Sequence, residues 1–553
     1  MPRRILVIGL DGLTFDFIDP LLEEGRLPNL AEMISMGVKS RLETVFPPIT
    51  SVAWTSFITG KNPGKHGILE FIQRKGHREI AANASQRSGK ALWDIFSDSG
   101  RKVIVTNFPV TYPPSAVNGL MISDFMTPRG RRDITYPSNL LDELEAKFGP
   151  YKLYMTQTYA PGKIDKLLEE LHEELDYKSK VNCYLMGSYD WQLFVTHIWG
   201  TDRCQHELWH VVDRTHPRHD RAEAGEYREK ILGYWQSVDE EVGRMIRASG
   251  SDTAVFVVSD HGFGPAYKYC SFNIWLMQQG FLCLKPSAKT RLKRLLFGLG
   301  LTPELAYKLS RSGLLARFRP SRGLSSQKAK VGMLNKLFLS FEDVDWQQTK
   351  AFSKGNYGQI YINLKGREAQ GSVNPADYET VREEVIEALR KIEVEGKPLI
   401  GKIYRREEIY SGSHLGEAPD ICFLPDDMSY VALGNMDFMS NRFIVDSFGN
   451  SGTHRMHGVF VGRAEEFRKG YCCDEVRILD VAPTILHLAG LSIPDDMDGK
   501  VIEEIFTEDF RKIRSVSYCA AKSSDNSSNF GADFSQEESD EVRQRLHELG
   551  YMG

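Results

Sequence analysis

The sequence feature that most constrains the fold is a set of short apolar runs rich in valine and isoleucine. The runs lie at residues 5–9, 102–106, 193–198, 254–259 and 459–462. Each run is continuous rather than alternating, which is typical of strands buried on both faces of a parallel sheet. Amphipathic helical patterns lie among them at residues 28–36, 92–99, 227–248 and 378–392. This alternation predicts an α/β fold, a three-layer α/β/α sandwich with a mostly parallel central sheet.

Composition and charge narrow the class of protein. The 553 residues are 41% hydrophobic and 26% charged, as in a large soluble globular protein. A net charge of −5 gives no general attraction for nucleic acid. No stretch has the roughly 18 to 20 uncharged apolar residues of a membrane-spanning helix. The eight cysteines form no Cys-x-x-Cys pair, so we expect reduced thiols and a cytoplasmic location.

Acidic and imidazole side chains stand beside the predicted strands. They are Asp11, Asp202, His206, Asp260, His261 and His454. In open α/β sheets ligands bind outside the carboxyl ends of the strands, and Asp and His side chains there can hold a divalent cation. Taken singly, each residue also fits a turn, a helix cap or a solvated helix, and His457 competes with His454.

Thr50 is the candidate nucleophile. The Pro47-Pro48 step keeps the chain extended, and the following pattern predicts a short helix over 52–58, with Thr50 as its N-cap and Gly60 closing it. A hydroxyl at a helix N-terminus lies beside free N–H groups that can bind phosphate. A purely structural cap is the alternative. Together, three carboxylates, three imidazoles and one hydroxyl match what two adjacent cations need to hold one phosphoryl group.

The motifs around these residues resemble those of the alkaline phosphatase superfamily. They are Gly9-Leu10-Asp11-Gly12, Pro28-Asn29-Leu30, Phe46-Pro47-Pro48-Ile49-Thr50, Thr59-Gly60, His66-Gly67-Ile68, Asp202 to His206, Ser259-Asp260-His261-Gly262 and Gly452-Thr453-His454. The order of the motifs is most similar to the type I phosphodiesterase and nucleotide pyrophosphatase branch, among its cytosolic prokaryotic phosphohydrolase or phosphomutase-like members. The resemblance implies an alkaline phosphatase-like fold with helical cap insertions.

The resemblance also implies a ligand set and a mechanism. One cation would be held by Asp11, Thr50, Asp260 and His261, and the other by Asp202, His206 and His454. Zinc is the first choice of metal and manganese the alternative, because both accept imidazole and carboxylate ligands. Thr50 would attack phosphorus and form a phosphothreonine intermediate.

One position departs from the family pattern. Where many nucleotide-cleaving relatives have an Asn that holds a phosphoryl oxygen, this chain has Phe71. The donor to that oxygen is therefore unassigned, and the backbone N–H of Ser51 is our hypothesis for it.

We expect a hydrolase of a small-molecule phosphate diester or pyrophosphate. A phosphomonoesterase or phosphomutase is the first alternative. The second is a non-catalytic peripheral protein that contacts an anionic membrane weakly through residues 285–330, where twelve Lys and Arg accompany Glu304 as the only acid. No nucleic-acid partner is expected, and the oligomeric state is not predicted.

The expected domain organisation has four parts. Residues 1–284 and 340–512 form the catalytic core, with a cap region at 120–190 inside it. Residues 285–339 form a basic helical insertion that also caps the site. Residues 513–553 form a linker and a C-terminal helix, which the pattern places at 537–549.

Overall fold

All five apolar runs form strands, and these strands are neighbours at the centre of one sheet. The computed structural model describes residues 3–75, 78–305, 338–434, 438–521 and 534–549. Most of the basic segment 285–339 and the predicted linker therefore lie outside the described residues.

The strands are short, and most contain two to six residues. They are β1 (Ile5–Leu10), β2 (Val38–Glu43), β3 (Ile72–Lys75), β4 (Arg78–Ala81), β5 (Val103–Thr106), β6 (Gly119–Ile122), β7 (Thr135–Tyr136), β8 (Leu193–Ile198), β9 (Ala254–Val258), β10 (Gly262–Pro265), β11 (Lys268–Ser271), β12 (Ala351–Ser353), β13 (Gln359–Ile362), β14 (Glu393–Val394), β15 (Lys397–Pro398), β16 (Ile400–Arg405), β17 (Ile421–Pro425), β18 (Tyr430–Leu433), β19 (Ile444–Asp446), β20 (Gly452–Arg455), β21 (His457–Arg463), β22 (Tyr471–Cys472), β23 (Val476–Arg477), β24 (Ile493–Pro494) and β25 (Tyr518–Cys519).

The α-helices range from single turns to a helix of 29 residues. They are α1 (Phe15–Glu23), α2 (Pro28–Ser35), α3 (Thr50–Thr59), α4 (Pro63–His66), α5 (Leu92–Asp98), α6 (Leu140–Phe148), α7 (Ile164–Ser188), α8 (Gly200–Val212), α9 (Arg221–Ser249), α10 (Phe272–Gln278), α11 (Ala288–Gly298), α12 (Tyr378–Arg390), α13 (Arg406–Ile409), α14 (Ile478–Ala489), α15 (Glu508–Ile513) and α16 (Gln536–Glu548). Among the described residues, no helix is both long and apolar enough to cross a membrane.

The central sheet has the strand order β22-β2-β21-β9-β1-β8-β5-β6-β7, and β23 also pairs with β2. Strands β9, β1, β8, β5 and β6 are parallel. Strand β21 runs antiparallel to β9. Its sequence still resembles that of the parallel strands, because a central strand is buried on both faces whichever way it runs. The prediction of a mostly parallel sheet is confirmed.

Helices cover both faces of this sheet. Successive side chains of a strand point to opposite faces, and β1 accordingly sends Leu6, Ile8 and Leu10 into one hydrophobic cluster with helices α2, α7, α8 and α9. Its residues Ile5 and Val7 pack in a second cluster with helices α3, α5 and α14. The predicted three-layer α/β/α sandwich is confirmed.

A second lobe is inserted between β10 and β20. It contains the sheets β18-β11-β19 and β12-β13-β17-β16, and it has its own hydrophobic cluster, with members from Cys270 to Phe438. Residues 120–190, expected as a cap, instead supply β7, part of β6 and helix α7 to the sandwich. The lobe therefore begins before the expected insertion at 285–339 and ends well after it.

Candidate metal centre

Every site residue predicted from the sequence lies at one edge of the central sheet. Asp11 follows β1, Asp202 and His206 lie on α8 after β8, and Asp260 and His261 follow β9. Thr50 begins α3, and His454 lies on β20. Their side chains are all buried, with at most 4% of the surface of any of them exposed. The structure thus brings together seven residues that span more than 440 positions of the chain.

The first group is centred on the Nε2 atom of His261. The carboxylate oxygens Asp11 Oδ1 and Asp260 Oδ2 lie 3.4 and 3.2 Å from it, and Thr50 Oγ1 lies 3.4 Å from it. The opposite oxygen of Asp260 accepts the Gly12 N–H at 3.2 Å. Among the described residues, Asp11 Oδ1 and Asp260 Oδ2 have no hydrogen-bond donor.

The second group joins Asp202 to two imidazoles. Asp202 Oδ1 lies 3.2 Å from His454 Nε2 and 3.5 Å from His206 Nε2. The two Nε2 atoms are 2.9 Å apart. The groups adjoin each other, because the rings of His261 and His454 stack with centroids 3.6 Å apart.

Backbone carbonyls determine which nitrogen of each imidazole carries the proton. The Nδ1 atom of His454 lies 2.7 Å from the carbonyl oxygen of Pro48, that of His206 lies 2.9 Å from Gly452 O, and that of His261 lies 3.1 Å from Gly262 O. Each Nδ1 therefore donates, and each Nε2 presents a lone pair. Three lone pairs of the neutral rings then face carboxylate oxygens and one another, an arrangement that suits a bound cation.

The spacing fits metal ligands. Ligand atoms of a tetrahedral zinc site lie roughly 3.3 Å apart, given zinc-to-ligand bonds of about 2.0 to 2.1 Å. The separations within both groups, 2.9 to 3.5 Å, agree with that edge. The structure thus has two adjacent sets of side chains suited to divalent cations. In the groups Asp11-Asp260-His261 and Asp202-His261-His454, one ligand atom from each residue lies within 4.8 Å of the others.

Burial sets the protonation of these groups. It raises the pKa values of Asp11 and Asp260 well above their usual range, and neighbouring carboxylates raise them further. Burial also lowers the pKa of His206 to about 4 and that of His261 well below its usual value. Burial alone would raise the pKa of Asp202, but His206 and His454 hold it below its usual range. Burying ionised carboxylates costs free energy. Bound cations would stabilise these carboxylates and would accept the lone pairs of the neutral imidazoles.

Thr50 does not cap its helix. The N-cap is Ile49, with φ −121° and ψ 134°, and Thr50 is the first helical residue. The expectation that Thr50 is the N-cap is wrong, because the helix begins one residue earlier than expected. The Thr50 hydroxyl instead faces His261. Gly60 ends the helix as expected, with φ 64°.

Sequence reasoning missed His197, on the penultimate position of β8. Its Nε2–H donates to Asp11 Oδ2 at 2.8 Å, and Trp54 Nε1 lies 3.4 Å from the same oxygen. Burial lowers the pKa of His197 to about 3, so the ring is neutral. The available signal was a single imidazole inside an otherwise apolar strand run.

A cavity opens beside His206 and His454. Its other lining residues are Ile49, Phe71, Ala266, Tyr269, Asn356, Tyr357, Val431, Leu433, Asn450, Gly452 and Thr453. Phe71 thus lies at the site, and the inserted lobe supplies the amide of Asn356 and the ring of Tyr357, which stacks on His454. Neither lobe residue was predicted as a site residue, because no motif marks it.

The model of the type I phosphodiesterase/nucleotide pyrophosphatase family matches residues 5–460. The chain belongs to this family. The resemblance noted from the motifs is confirmed, and the chain is a hydrolase of a metal-dependent family. The Asp and His clusters described above are the chain's candidate ligands for metal ions.

Two solved structures are among those similar to this chain. Human ectonucleotide pyrophosphatase/phosphodiesterase 5 is 12% identical, with 92% of this chain and 100% of that chain covered and a TM-score of 0.49. An inactive murine ectonucleotide pyrophosphatase/phosphodiesterase 5 in complex with AMP is also 12% identical, with 91% and 100% covered and a TM-score of 0.49. No curated protein sequence matches the chain.

Proposed function

We propose that the chain cleaves phosphate diesters or pyrophosphate bonds with two divalent cations and a phosphothreonine intermediate on Thr50. The observation that carries the proposal is the place of the Thr50 hydroxyl. It lies 3.4 Å from His261 Nε2 at the start of a buried helix. It is the hydroxyl among the seven clustered side chains, and it stands at a helix N-terminus, where backbone N–H groups can bind phosphate.

The two side-chain groups would each hold one cation, the first through Asp11, Thr50, Asp260 and His261, the second through Asp202, His206 and His454. Bound there, two cations would supply Lewis acidity that lowers the pKa of the Thr50 hydroxyl and stabilises charge on the transferred phosphoryl group. Imidazole and carboxylate ligands at tetrahedral spacing favour zinc, and manganese remains the alternative.

The chain's own groups carry the reaction. Thr50 Oγ1 loses its proton and attacks phosphorus, the new Oγ1–P bond forms, and the bond to the leaving oxygen breaks as that oxygen takes the electron pair and a proton. Val52 N–H donates to Ile49 O at 2.9 Å, so the N–H of Ser51 at the start of α3 is our proposed donor to a phosphoryl oxygen. Water then attacks phosphorus, the Oγ1–P bond breaks, and Thr50 regains a proton.

The cavity supports a diester over a monoester substrate. None of its described lining residues is Lys or Arg. A phosphomonoester carries about two negative charges near pH 7, since its second pKa is about 6. A diester carries one, so an uncharged lining beside the cations suits it better, and the apolar side chains can contact an organic group.

The test pairs elemental analysis with hydrolysis of bis(p-nitrophenyl) phosphate and p-nitrophenyl phosphate. We expect about two zinc or manganese ions per chain, faster cleavage of the diester, and loss of at least about 1,000-fold in kcat for Thr50→Ala. A tryptic peptide containing Thr50 should carry the phosphoryl adduct after acid quenching.

Thr55→Ala is the matched control. Thr55 lies on the same buried helix, but its hydroxyl donates to the carbonyl of Ser51 at 2.7 Å instead of facing the cluster. Near-normal turnover in Thr50→Ala would remove Thr50 from this role. Faster cleavage of the monoester would favour the phosphomonoesterase or phosphomutase alternative.

A further inference from the structure

Helix α11 buries a polar face and exposes an apolar one. Its inward residues are Thr290, Lys293 and Phe297. Lys293 Nζ contacts Asp343 Oδ2 at 2.7 Å, and the Thr290 hydroxyl donates to the other oxygen of Asp343 at 3.1 Å. Phe297 packs edge-on against Phe438. Polar contacts therefore hold much of this helix on the lobe.

The outward face of α11 and of the residue after it is a leucine stripe, which we define as Leu292, Leu295 and Leu299. These side chains are 58%, 61% and 76% exposed. Spacings of three and four residues place them on one side of the helix. Leu301 and Leu305, also exposed, follow the stripe. An apolar surface of this kind marks an interaction site more often than isolated exposed leucines do.

Cationic side chains flank the leucine stripe. Lys289, Arg291 and Arg294 are exposed on α11. Within the described residues no carboxylate forms an ion pair with any of the three. Glu304, the only acid of residues 285–305, is buried and lies 3.5 Å from Arg442. The outer surface of this helix therefore combines apolar side chains with uncompensated positive charge.

We propose that α11 docks the protein on an anionic lipid surface. The leucine stripe would enter the boundary between headgroups and acyl chains, and Lys289, Arg291 and Arg294 would contact lipid phosphates. Charge complementarity selects this partner, because a protein partner would need an acidic surface with an apolar groove, whereas an anionic bilayer offers both features to one exposed helix. The proposal does not depend on hydrolytic activity.

Flotation of the full chain with vesicles provides the test. Wild type should bind vesicles of 30% phosphatidylglycerol in phosphatidylcholine, weakly or not at all pure phosphatidylcholine, and less as salt is raised. The triple variant Lys289→Gln/Arg291→Gln/Arg294→Gln should bind about 100-fold more weakly, since each basic residue near such a surface contributes about fivefold. Leu292→Ser/Leu295→Ser/Leu299→Ser should abolish flotation.

Two controls make the result specific. Lys391→Gln/Lys397→Gln/Lys469→Gln removes three exposed lysines elsewhere and should bind like wild type. All variants should keep wild-type hydrolysis of a soluble ester and a wild-type melting temperature. Absence of wild-type flotation, or flotation that neither α11 variant reduces, would overturn the proposal. If wild type fails to bind and the leucine variant also melts several degrees lower than wild type, the leucine stripe is packed against the chain itself.

Discussion

At the scale of single residues, the proposed metal ligands depend on the groups that hydrogen-bond to them from outside the cluster. One oxygen of Asp11, Oδ1, lies 3.4 Å from His261 Nε2. The other, Oδ2, accepts a hydrogen bond from His197 at 2.8 Å. Such partners fix the orientation of a ligand and its proton, and losing one typically weakens metal binding by about 10- to 100-fold.

We expect His197→Ala to lower zinc affinity by about that factor, with His197→Gln less affected because its amide can still donate. Competition with a chromogenic chelator measures the affinity. His172→Ala, which alters a ring packed on Tyr234 away from the site, serves as the control. Equal zinc affinity in His197→Ala and wild type would contradict a positioning role.

The donor that replaces the family Asn is also a residue-scale question. If the Ser51 backbone N–H holds the phosphoryl oxygen, Ser51→Gly retains kcat because the N–H remains. The Asn356 amide lines the cavity beside His454, and we expect Asn356→Ala to raise KM about tenfold through a lost hydrogen bond to substrate. Steady-state kinetics with a diester measure both. A large fall in kcat for a folded Ser51→Gly would move the role to a side chain.

At the scale of elements, helix α16 stabilises the site from outside. Val542 and Leu546 are buried, and Arg545 donates to Thr127 O at 2.9 Å. The carbonyl of Leu549, just after the helix, accepts from Arg203 at 2.6 Å. Arg203 is fully buried, pairs with Glu207 at 2.9 Å and adjoins Asp202 in sequence. This segment therefore supplies a further hydrogen bond to a buried charge beside a proposed metal ligand.

Ending the chain before α16 should therefore lower the melting temperature by several degrees and weaken zinc binding. Val542→Asp should do the same, because it places an unpaired charge in an apolar contact. Differential scanning fluorimetry and zinc titration measure the two effects, and Glu548→Ala, an exposed change on the same helix, is the control. Unchanged melting in both α16 variants would show that the docking contributes little.

The sequence predicts the central strands better than the strands of the inserted lobe. The runs at 5–9, 193–198 and 254–259 predict three strands of the central sheet, which the structure places side by side. The residues after them predict most of the Asp and His cluster, because strand ends meet at one sheet edge. The antiparallel direction of β21 and the lobe strands were not predictable in this way. Most lobe strands have two to five residues, too few for a periodic pattern, and their partners lie far away in sequence.

At the scale of the whole molecule, the buried cluster links stability to pH. In the metal-free chain the raised pKa values of Asp11 and Asp260 favour folding at low pH, and this contribution is lost as pH rises through them. The lowered pKa values of His206 and His261 act oppositely, so stability falls as pH drops below about 6.5, where the unfolded imidazoles take up protons.

Cation binding requires ionised carboxylates and neutral imidazoles, so it should release protons. We expect zinc to raise the melting temperature more at pH 8 than at pH 5.5. Fluorimetry with and without zinc at both values measures the difference. His454→Ala should lose most of the increment, and an increment that does not change with pH in wild type would contradict the proposed ligand set.

The inserted lobe leaves and rejoins the sandwich through one short antiparallel pair, in which Gly262 faces Arg455 and Phe263 faces His454. Both junctions thus lie beside the clustered Asp and His side chains, and the lobe between them has a hydrophobic cluster of its own. Asn356 and Tyr357, which line the cavity, lie between the two junctions, whereas His261 and His454 stand at them. A substitution inside the lobe can therefore alter the cavity lining without changing either histidine.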